Sequence, residues 1–341
     1  MLVKVTLSPS GNQFQCDQED TILEGAQKEG LVLPFGCRSG ACGSCKGKVL
    51  DGSLDRGEYQ SSALTEEEVS QGFALLCCAK PTSDVTIEIR QVNGMKDIHI
   101  KKLPCRVESI EKPNHDVAIL KLKLPAQEKF EFLAGQYIDF LLKDGKKRSF
   151  SLANAPHEAG IIELHIRNYP GGSFSQYVFN ELKEKTILRF EGPLGTFFLR
   201  EDSDKPIIFM AGATGFAPIK GIIESAKHKG ITRPMVLYWG VRSKQDLYYY
   251  ELAQSWVNEQ FTFIPVLSEP LAEDHWQGRT GLVHEAILAD YQDLSGYQVY
   301  ACGAPIMVES GFNAFTKTRG LPEDEFYSDP FTPSVDNKPA A

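Results

Sequence analysis

The spacing of apolar residues along the chain changes twice, and each change marks a different kind of predicted structure. In the first stretch, short alternating or apolar segments predict four strands at residues 2–7, 13–16, 48–50 and 85–89. A short helix is predicted to open at Thr21, with Thr21 or Asp20 as its N-cap and Gly30 as its stop. Residues 1–92 are therefore predicted to form a small α+β domain.

Two further domains are predicted beyond a polar linker at residues 93–102. Residues 103–202 contain six alternating segments and one helix candidate, which predicts an antiparallel six-stranded β-barrel. Residues 203–341 alternate apolar runs with helical segments, the pattern of a doubly wound parallel sheet in an α/β domain. The polar residues after Phe331 are predicted to be frayed.

Composition narrows the class of protein. A length of 341 residues with 42% apolar content is enough for two or three folded domains. The net charge of −9 argues against nucleic acid as a partner. The chain's start lacks the apolar core of a signal peptide, and no apolar run is long enough to span a membrane. Eight clustered cysteines indicate a reducing compartment, so a cytoplasmic protein is expected.

The strongest chemical signal is a cysteine-rich loop. Cys37, Cys42 and Cys45 have the spacing C-x4-C-x2-C among glycines, serines and an alanine, and Cys77 follows in an apolar segment. Four thiolates that converge on two irons need a tightly folded backbone, which small residues permit. A zinc site would favour two closely spaced pairs of ligands, and disulfides would need a secreted context. The pattern therefore favours a [2Fe–2S] cluster.

The first domain resembles the β-grasp fold of plant-type ferredoxins. The likeness extends to Leu75-x-Cys77-x-x-x-Pro81, which in that family surrounds the fourth cluster ligand. The resemblance implies that Cys77 is the ligand and that Cys78 is a bystander.

The barrel carries a second resemblance, at Arg148-Ser149-Phe150-Ser151. This segment is similar to the R-x-[YF]-S motif of the ferredoxin–NADP reductase superfamily. The family implies that Arg148 neutralises the FAD pyrophosphate, that Phe150 packs on the flavin ring, and that Ser151 lies beside the reactive flavin nitrogen. Taken alone the motif is weak, since an ordinary strand with one exposed arginine would also contain it.

Two later segments of the barrel strengthen this resemblance. Residues 164–167, with His165 and Ile166, resemble the strand that runs past the flavin, although His165 could also be a core or surface histidine. Gly172 and Ser175 match the family's G-x-x-S at a helix N-terminus, where free N–H groups favour a phosphate.

The third domain resembles the nicotinamide-binding domain of the same superfamily. The resemblance assigns dinucleotide binding to residues in four short motifs: Gly212, Thr214, Gly215 and Pro218 in a glycine-rich loop, Arg242 and Asp246 after the next strand, Cys302 and Gly303 in a C-G-x-P segment, and Phe331 near the C-terminus. Ser151, Cys302 and Phe331 are expected next to the reacting rings. Tyr327 is the second choice for the aromatic, and a buried structural role is the alternative for Cys302.

The order ferredoxin, flavin, nicotinamide resembles the NAD(P)H reductase components of multicomponent systems. These include aromatic-ring and methane oxygenase reductases and the CDP-6-deoxy-Δ3,4-glucoseen reductases. The sequence resembles the CDP-6-deoxy-Δ3,4-glucoseen reductases somewhat more than it resembles the oxygenase reductases. The resemblance implies electron transfer from NADH, rather than NADPH, through FAD to the cluster and on to a redox partner protein. That partner is expected to be a sugar dehydratase or an oxygenase component. A free-standing flavin or ferric reductase and a redox-sensing module are the alternatives.

Overall fold

The computed structural model describes residues 1–95, 98–158 and 160–332, which form two compact units, Met1–Ile98 and His99–Ala341. The polar tail predicted after Phe331 lies outside these ranges from residue 333 onward. Within the described ranges, no helix has the length and apolar content needed to cross a bilayer.

The first unit is a β-grasp domain, as predicted. Its elements are β1 Leu2–Ser8, β2 Gln13–Asp17, α1 Ile22–Lys28, β3 Lys46–Asp51, β4 Leu54–Asp55, α2 Glu66–Ser70, β5 Phe73–Leu75, β6 Lys80–Pro81 and β7 Val85–Glu88. The main sheet has the order β2-β1-β7-β3-β5, with β1 and β7 parallel and the other pairs antiparallel. Thr21 caps α1 by accepting a hydrogen bond from the N–H of Glu24 at 3.2 Å.

The second unit begins with the predicted antiparallel barrel. Its elements are β8 Lys101–Glu111, β9 Val117–Lys123, β10 Tyr137–Leu141, β11 Lys147–Ser151, β12 Ile161–Arg167, α3 Ser173–Asn180 and β13 Ile187–Leu194. Six strands pair in the order β11-β10-β13-β8-β9-β12. A bridge between Leu152 and Leu164 joins the two edges, so the sheet closes on its apolar core. β8 begins inside the segment predicted as a linker.

The remainder of the second unit is the predicted parallel sheet with helices. Its elements are β14 Ile207–Gly212, α4 Phe216–His228, β15 Met235–Val241, α5 Tyr250–Ser255, β16 Phe261–Leu267, β17 Arg279–Thr280, α6 Val283–Asp290, β18 Gln298–Gly303, α7 Pro305–Arg319 and β19 Phe326–Pro330. The strand order is β17-β16-β15-β14-β18-β19, all parallel. Alternate residues of β14 enter two separate cores, because helices cover both faces of the sheet.

Candidate active site and metal centre

The four predicted cluster cysteines come together at one end of the first unit. Side-chain hydrogen bonds link Cys37 with Cys42 and Cys45 with Cys77, and Cys42 is close enough to Cys45 to act on it electrostatically. Cys45 is buried, whereas the other three are partly exposed. A set of four thiols at one solvent-facing edge is the donor set that a [2Fe–2S] cluster requires.

The loop backbone is shaped around these sulfur atoms. The N–H groups of Ser39 and Ala41 donate to Cys37 Sγ at 3.4 and 3.3 Å, and the N–H of Cys37 donates to Cys42 Sγ at 3.3 Å. Gly40 has φ +69°, and a Cβ there would lie 2.8 Å from Cys78 Sγ. The loop therefore needs glycine at this position, and its inward amides favour thiolate sulfur.

The thiols differ in acidity. The hydrogen bond from Cys42 is the main cause that lowers the pKa of Cys37 to about 5, and the bond from Cys45 is the main cause that lowers the pKa of Cys77 to about 3. The same two hydrogen bonds raise the pKa of Cys42 and of Cys45, so each pair of thiols shares a proton that metal binding would displace, since the thiolate is the form that binds. The residues present therefore fit the cluster.

Cys78 lies next to this site without belonging to the four. Its Sγ is 3.6 Å from Cys77 Sγ, and the pKa of Cys78 is raised, chiefly by the hydrogen bond to Cys77. Cys78 therefore lies beside Cys77, the predicted ligand, and within electrostatic range of Cys37 and Cys42.

On the barrel, β11 and the N-terminus of α3 lie side by side. The Phe150 ring packs against Phe174, in the first turn of α3, with 5.4 Å between ring centroids. Arg148 is partly exposed two residues before Phe150, and no side chain caps α3 at Gly172 within the described residues. The Arg148 Nη1 donates to the carbonyl of Lys147 at 2.8 Å, and a cation on β11 together with an uncapped helix N-terminus packed against the same strand are the kinds of group that fit a pyrophosphate such as that of FAD.

The remaining residues that were predicted to bind the flavin make their contacts with other parts of the protein. Ser175 Oγ donates to the carbonyl of Gly172 at 3.0 Å and accepts from the N–H of Tyr169 at 3.2 Å, so it supports the loop before α3. The Ile166 side chain lies in the barrel core. The buried His165 side chain contacts Glu163 and Tyr248 on the side that faces the parallel sheet.

The glycine-rich loop packs backbone against backbone on the end of β18. A Cβ on Gly215 would lie 2.1 Å from the carbonyl oxygen of Cys302, and a Cβ on Gly303 would lie 2.9 Å from that of Gly212. Thr214 is buried, and Pro218 lies in the first turn of α4. Such close packing leaves the loop at the carboxyl end of the sheet, where dinucleotides bind in this architecture.

The two residues predicted for the adenosine half follow β15. Arg242 is exposed, and the Asp246 carboxylate caps a turn by accepting from the N–H and Oγ of Ser243 at 3.0 and 3.1 Å. Asp246 also lies 3.9 Å from Nε2 of His115 on the barrel.

The three residues expected beside the reacting rings converge where barrel and sheet meet. Ser151 Oγ donates to Asp329 Oδ2 at 3.2 Å, and Asp329 pairs in register with Cys302. The N–H of Phe331 donates to the carbonyl of Gly303 at 2.8 Å. Burial, with a further contribution from Asp329, raises the pKa of Cys302, so its thiol stays protonated. Tyr327 instead stacks on Tyr300.

Asp329 is a site residue that sequence reasoning missed. It lies in the segment that contains Phe331, where the family resemblance gives a role to the aromatic residues alone. A carboxylate two positions before the expected flavin aromatic was the available signal.

Comparison with family models finds three matches along the chain. Residues 5–82 match the 2Fe-2S iron-sulfur cluster binding domain, 104–199 the oxidoreductase FAD-binding domain, and 209–311 the oxidoreductase NAD-binding domain. These matches confirm the predicted cofactor set of FAD, a [2Fe–2S] cluster and NADH. Fold and site define an oxidoreductase that joins a flavin- and nicotinamide-binding unit to an iron–sulfur unit.

Full-length relatives narrow the class. The chain is 42% identical to the CDP-6-deoxy-L-threo-D-glycero-4-hexulose-3-dehydrase reductase of Yersinia pseudotuberculosis over 98% of this chain and 100% of the relative. It is 36% identical to the phenol hydroxylase P5 protein of Acinetobacter pittii over 98% and 96% of the two chains. The crystal structure of the Amycolatopsis cytochrome P450 reductase GcoB matches with TM-score 0.78 and 32% identity over 97% and 99%. The chain belongs to the family of three-module NAD(P)H reductase components, as predicted.

Proposed function

We propose that this chain supplies electrons from NADH, through FAD and the [2Fe–2S] cluster, to a dehydrase that acts on a CDP-linked deoxyhexulose. The observation that carries the proposal is the 42% identity along the whole length to a reductase named for that dehydrase, against 36% to the phenol hydroxylase P5 protein. Both relatives have full-length coverage, so the difference does not come from a missing domain.

Cys37, Cys42, Cys45 and Cys77 would hold the cluster. The N–H groups that already point at Cys37 and Cys42 would stabilise their thiolates, and Gly40 keeps the loop close to the sulfur atoms. The partly exposed edge of this loop would face the partner. The first 95 residues contain eight basic and thirteen acidic residues, so a partner with a basic surface is expected.

Arg148 and the uncapped first turn of α3 at Gly172 would hold the FAD pyrophosphate, and Phe150 would pack on the flavin. When bound, FAD takes two electrons with a hydride from the nicotinamide and passes them on singly, as a one-electron cluster requires. The backbone of β12 at His165 and Ile166 would flank the flavin, since both side chains are buried within the protein. Ser175 would hold the loop before α3 in shape.

The residues Gly212, Thr214, Gly215 and Pro218 would bind the nicotinamide dinucleotide at its pyrophosphate, with Arg242 and Asp246 at the adenosine half. Cys302, Gly303 and Phe331 would surround the nicotinamide ring. At the meeting point the Ser151 hydroxyl keeps its proton in a hydrogen bond to Asp329, and the protonated Cys302 thiol adds no charge. Burial of Ser151 and Cys302 excludes water from this side.

The test measures the partner directly. The purified chain, loaded with FAD and cluster, is supplied with NADH in three separate reactions. The first contains cytochrome c, and the second contains the dehydrase with its CDP-6-deoxy-L-threo-D-glycero-4-hexulose substrate. The third contains a phenol hydroxylase oxygenase component. We expect NADH-dependent sugar product at a rate well above that of oxygenase turnover. Cytochrome c reduction without product from either partner would contradict the proposal and favour a free-standing reductase.

An oxygenase partner is the second candidate, favoured by the full-length similarity to the phenol hydroxylase P5 protein. Faster turnover in the oxygenase arm would select it. We also propose a cytoplasmic location, which the eight unpaired cysteines support, because a reducing compartment keeps thiols available for the cluster.

A further inference from the structure

A buried network of charged side chains lies between the barrel and the helix that follows the glycine-rich loop. Lys220 of α4 has only 5% of its surface exposed, and its Nζ donates to Glu163 of β12 at 3.2 Å and to Glu224 at 2.9 Å. Glu163 also accepts from His165 Nε2 at 3.0 Å, and Tyr248 OH lies 2.8 Å from His165 Nδ1. Residues of the barrel and of the parallel-sheet module therefore supply each other's hydrogen-bond and ion-pair partners.

The protonation states in the network follow from these contacts. Burial alone would raise the pKa of Glu163, but the hydrogen bond from His165 and the charge of Lys220 hold it at about 2. Burial lowers the pKa of His165, so its ring is neutral, with Nε2–H donating to Glu163 and Nδ1 accepting from the Tyr248 hydroxyl. Glu163 and Lys220 are thus a charged pair, with His165 neutral beside them.

The network lies next to both parts of the proposed reaction site, the backbone after Ser151 on the barrel and the glycine-rich loop that ends at Pro218. The third donor position of Lys220 Nζ is used by the carbonyl of Ala153 at 3.2 Å, two residues after Ser151. A Cβ on the adjacent Gly221 would lie 3.0 Å from the carbonyl oxygen of Asn154, so α4 packs directly on this backbone. Lys220 is also only two residues beyond Pro218, the last residue of the nicotinamide loop.

Stability alone is a weak reason for such a network. Apolar side chains of similar volume commonly replace buried ion pairs at no cost in stability, because the pair must be stripped of water. What a fully bonded lysine does provide is a single geometry, since each of its three N–H groups has a fixed acceptor.

We propose that Lys220 and Glu163 are positioning residues that fix the loop 212–218 against the backbone after Ser151, and thereby set the nicotinamide relative to the flavin. This rests on the proposed function of the two sites. Neither side chain is placed in contact with NADH, so their loss is expected to change the rate of hydride transfer rather than the affinity for NADH. A displacement of 1 Å can cost about 100-fold in rate.

The test uses the holoenzyme and the variants Lys220→Met, Glu163→Gln and the double variant. Stopped-flow reduction of the bound flavin gives a limiting rate and a Kd for NADH. We expect the limiting rate to fall at least about tenfold in Lys220→Met and in the double variant, with Kd within about twofold. The melting temperature of the double variant should match or exceed that of Lys220→Met. In Lys220→Met the buried Glu163 keeps only the half-exposed Lys121, at 3.8 Å, as a charged partner, and the double variant removes this poorly compensated charge.

A second readout does not depend on turnover. Amide hydrogen exchange in residues 152–154 and in α4 should be faster in both variants that lack Lys220. Lys229→Met is the matched control, because it breaks an exposed ion pair to Glu201 at 2.5 Å at the end of the same helix.

The experiments distinguish a failure of the positioning role from a failure of the proposed function. A limiting rate that recovers with stability in the double variant, or stays within twofold throughout, would overturn the positioning role, as would unchanged exchange. Failure of NADH to reduce the wild-type flavin would contradict the proposed function instead.

Discussion

The substitution Gly215→Ala tests how closely the glycine-rich loop must approach the end of β18. The new Cβ would lie 2.1 Å from the carbonyl oxygen and 2.4 Å from the carbonyl carbon of Cys302. Both atoms belong to the backbone, so no side-chain rotation can relieve the clash. The loop and the strand must separate by about 1 Å to reach 3.0 Å, a strain that costs about 1–3 kcal/mol in a packed interior.

This displacement moves the nicotinamide site away from Ser151. We expect flavin reduction by NADH to slow by about 100-fold, since an error of 1 Å in placement has an effect of that size. The melting temperature of the second unit should fall by about 2–10 °C for the same strain. Stopped-flow absorbance and differential scanning calorimetry measure the two effects.

The control is Gly296→Ala in the same module, because a Cβ at Gly296 meets no atom within 4 Å. The visible absorbance of FAD and cluster should be unchanged in both variants. If Gly215→Ala reduces its flavin at the wild-type rate and melts with the Gly296→Ala control, the reasoning from close packing is refuted.

Three further predictions concern the cluster and the buried network. Cys42→Ser should keep NADH-driven reduction of small dyes but lose transfer to the partner, because electrons leave through the cluster; an unchanged partner rate would refute this route. Cys77→Ala should lose the cluster's visible absorbance and iron content, whereas Cys78→Ala should retain both, since Cys77 is the proposed ligand; the reverse result would exchange their roles. Glu163 has a folded-state pKa of about 2 against an ordinary 4.5, so its contribution of about 3 kcal/mol is present above pH 4.5 and lost as the pH falls towards 2. The stability gap between wild type and Glu163→Gln, measured by urea unfolding, should therefore narrow on acidification from pH 6 to pH 4, and a gap that widens would contradict the assignment of Glu163 as ionised.

Local patterns were sufficient to predict much of this molecule. The spacing of Cys37, Cys42 and Cys45 predicts a cluster because one short loop must supply most of its ligands. The capping of α1 by Thr21 was equally visible, since a cap and its partner are three residues apart. In such cases the residues that interact are near neighbours in the chain.

Contacts between distant segments could not be predicted in the same way. Ser151 and Asp329 are 178 positions apart, and only the packing of barrel against sheet brings them together. A lysine on a helix is ordinarily solvent-exposed, yet the adjacent Gly221 lets α4 approach the barrel so closely that Lys220 is buried. The helix that follows β15 begins only at Tyr250, because the Asp246 carboxylate caps a preceding turn.

The position of β19 has a consequence for biosynthesis. Among the residues that the structure describes, this strand pairs with β18 alone, at the edge of the parallel sheet, and it brings Asp329 and Phe331 to the proposed site. All four cluster cysteines, in contrast, lie within the first 77 residues, and β7 completes their sheet at Glu88. The segment that contains the iron–sulfur unit therefore leaves the ribosome early, whereas the proposed nicotinamide site stays incomplete until residue 331 has left the exit tunnel.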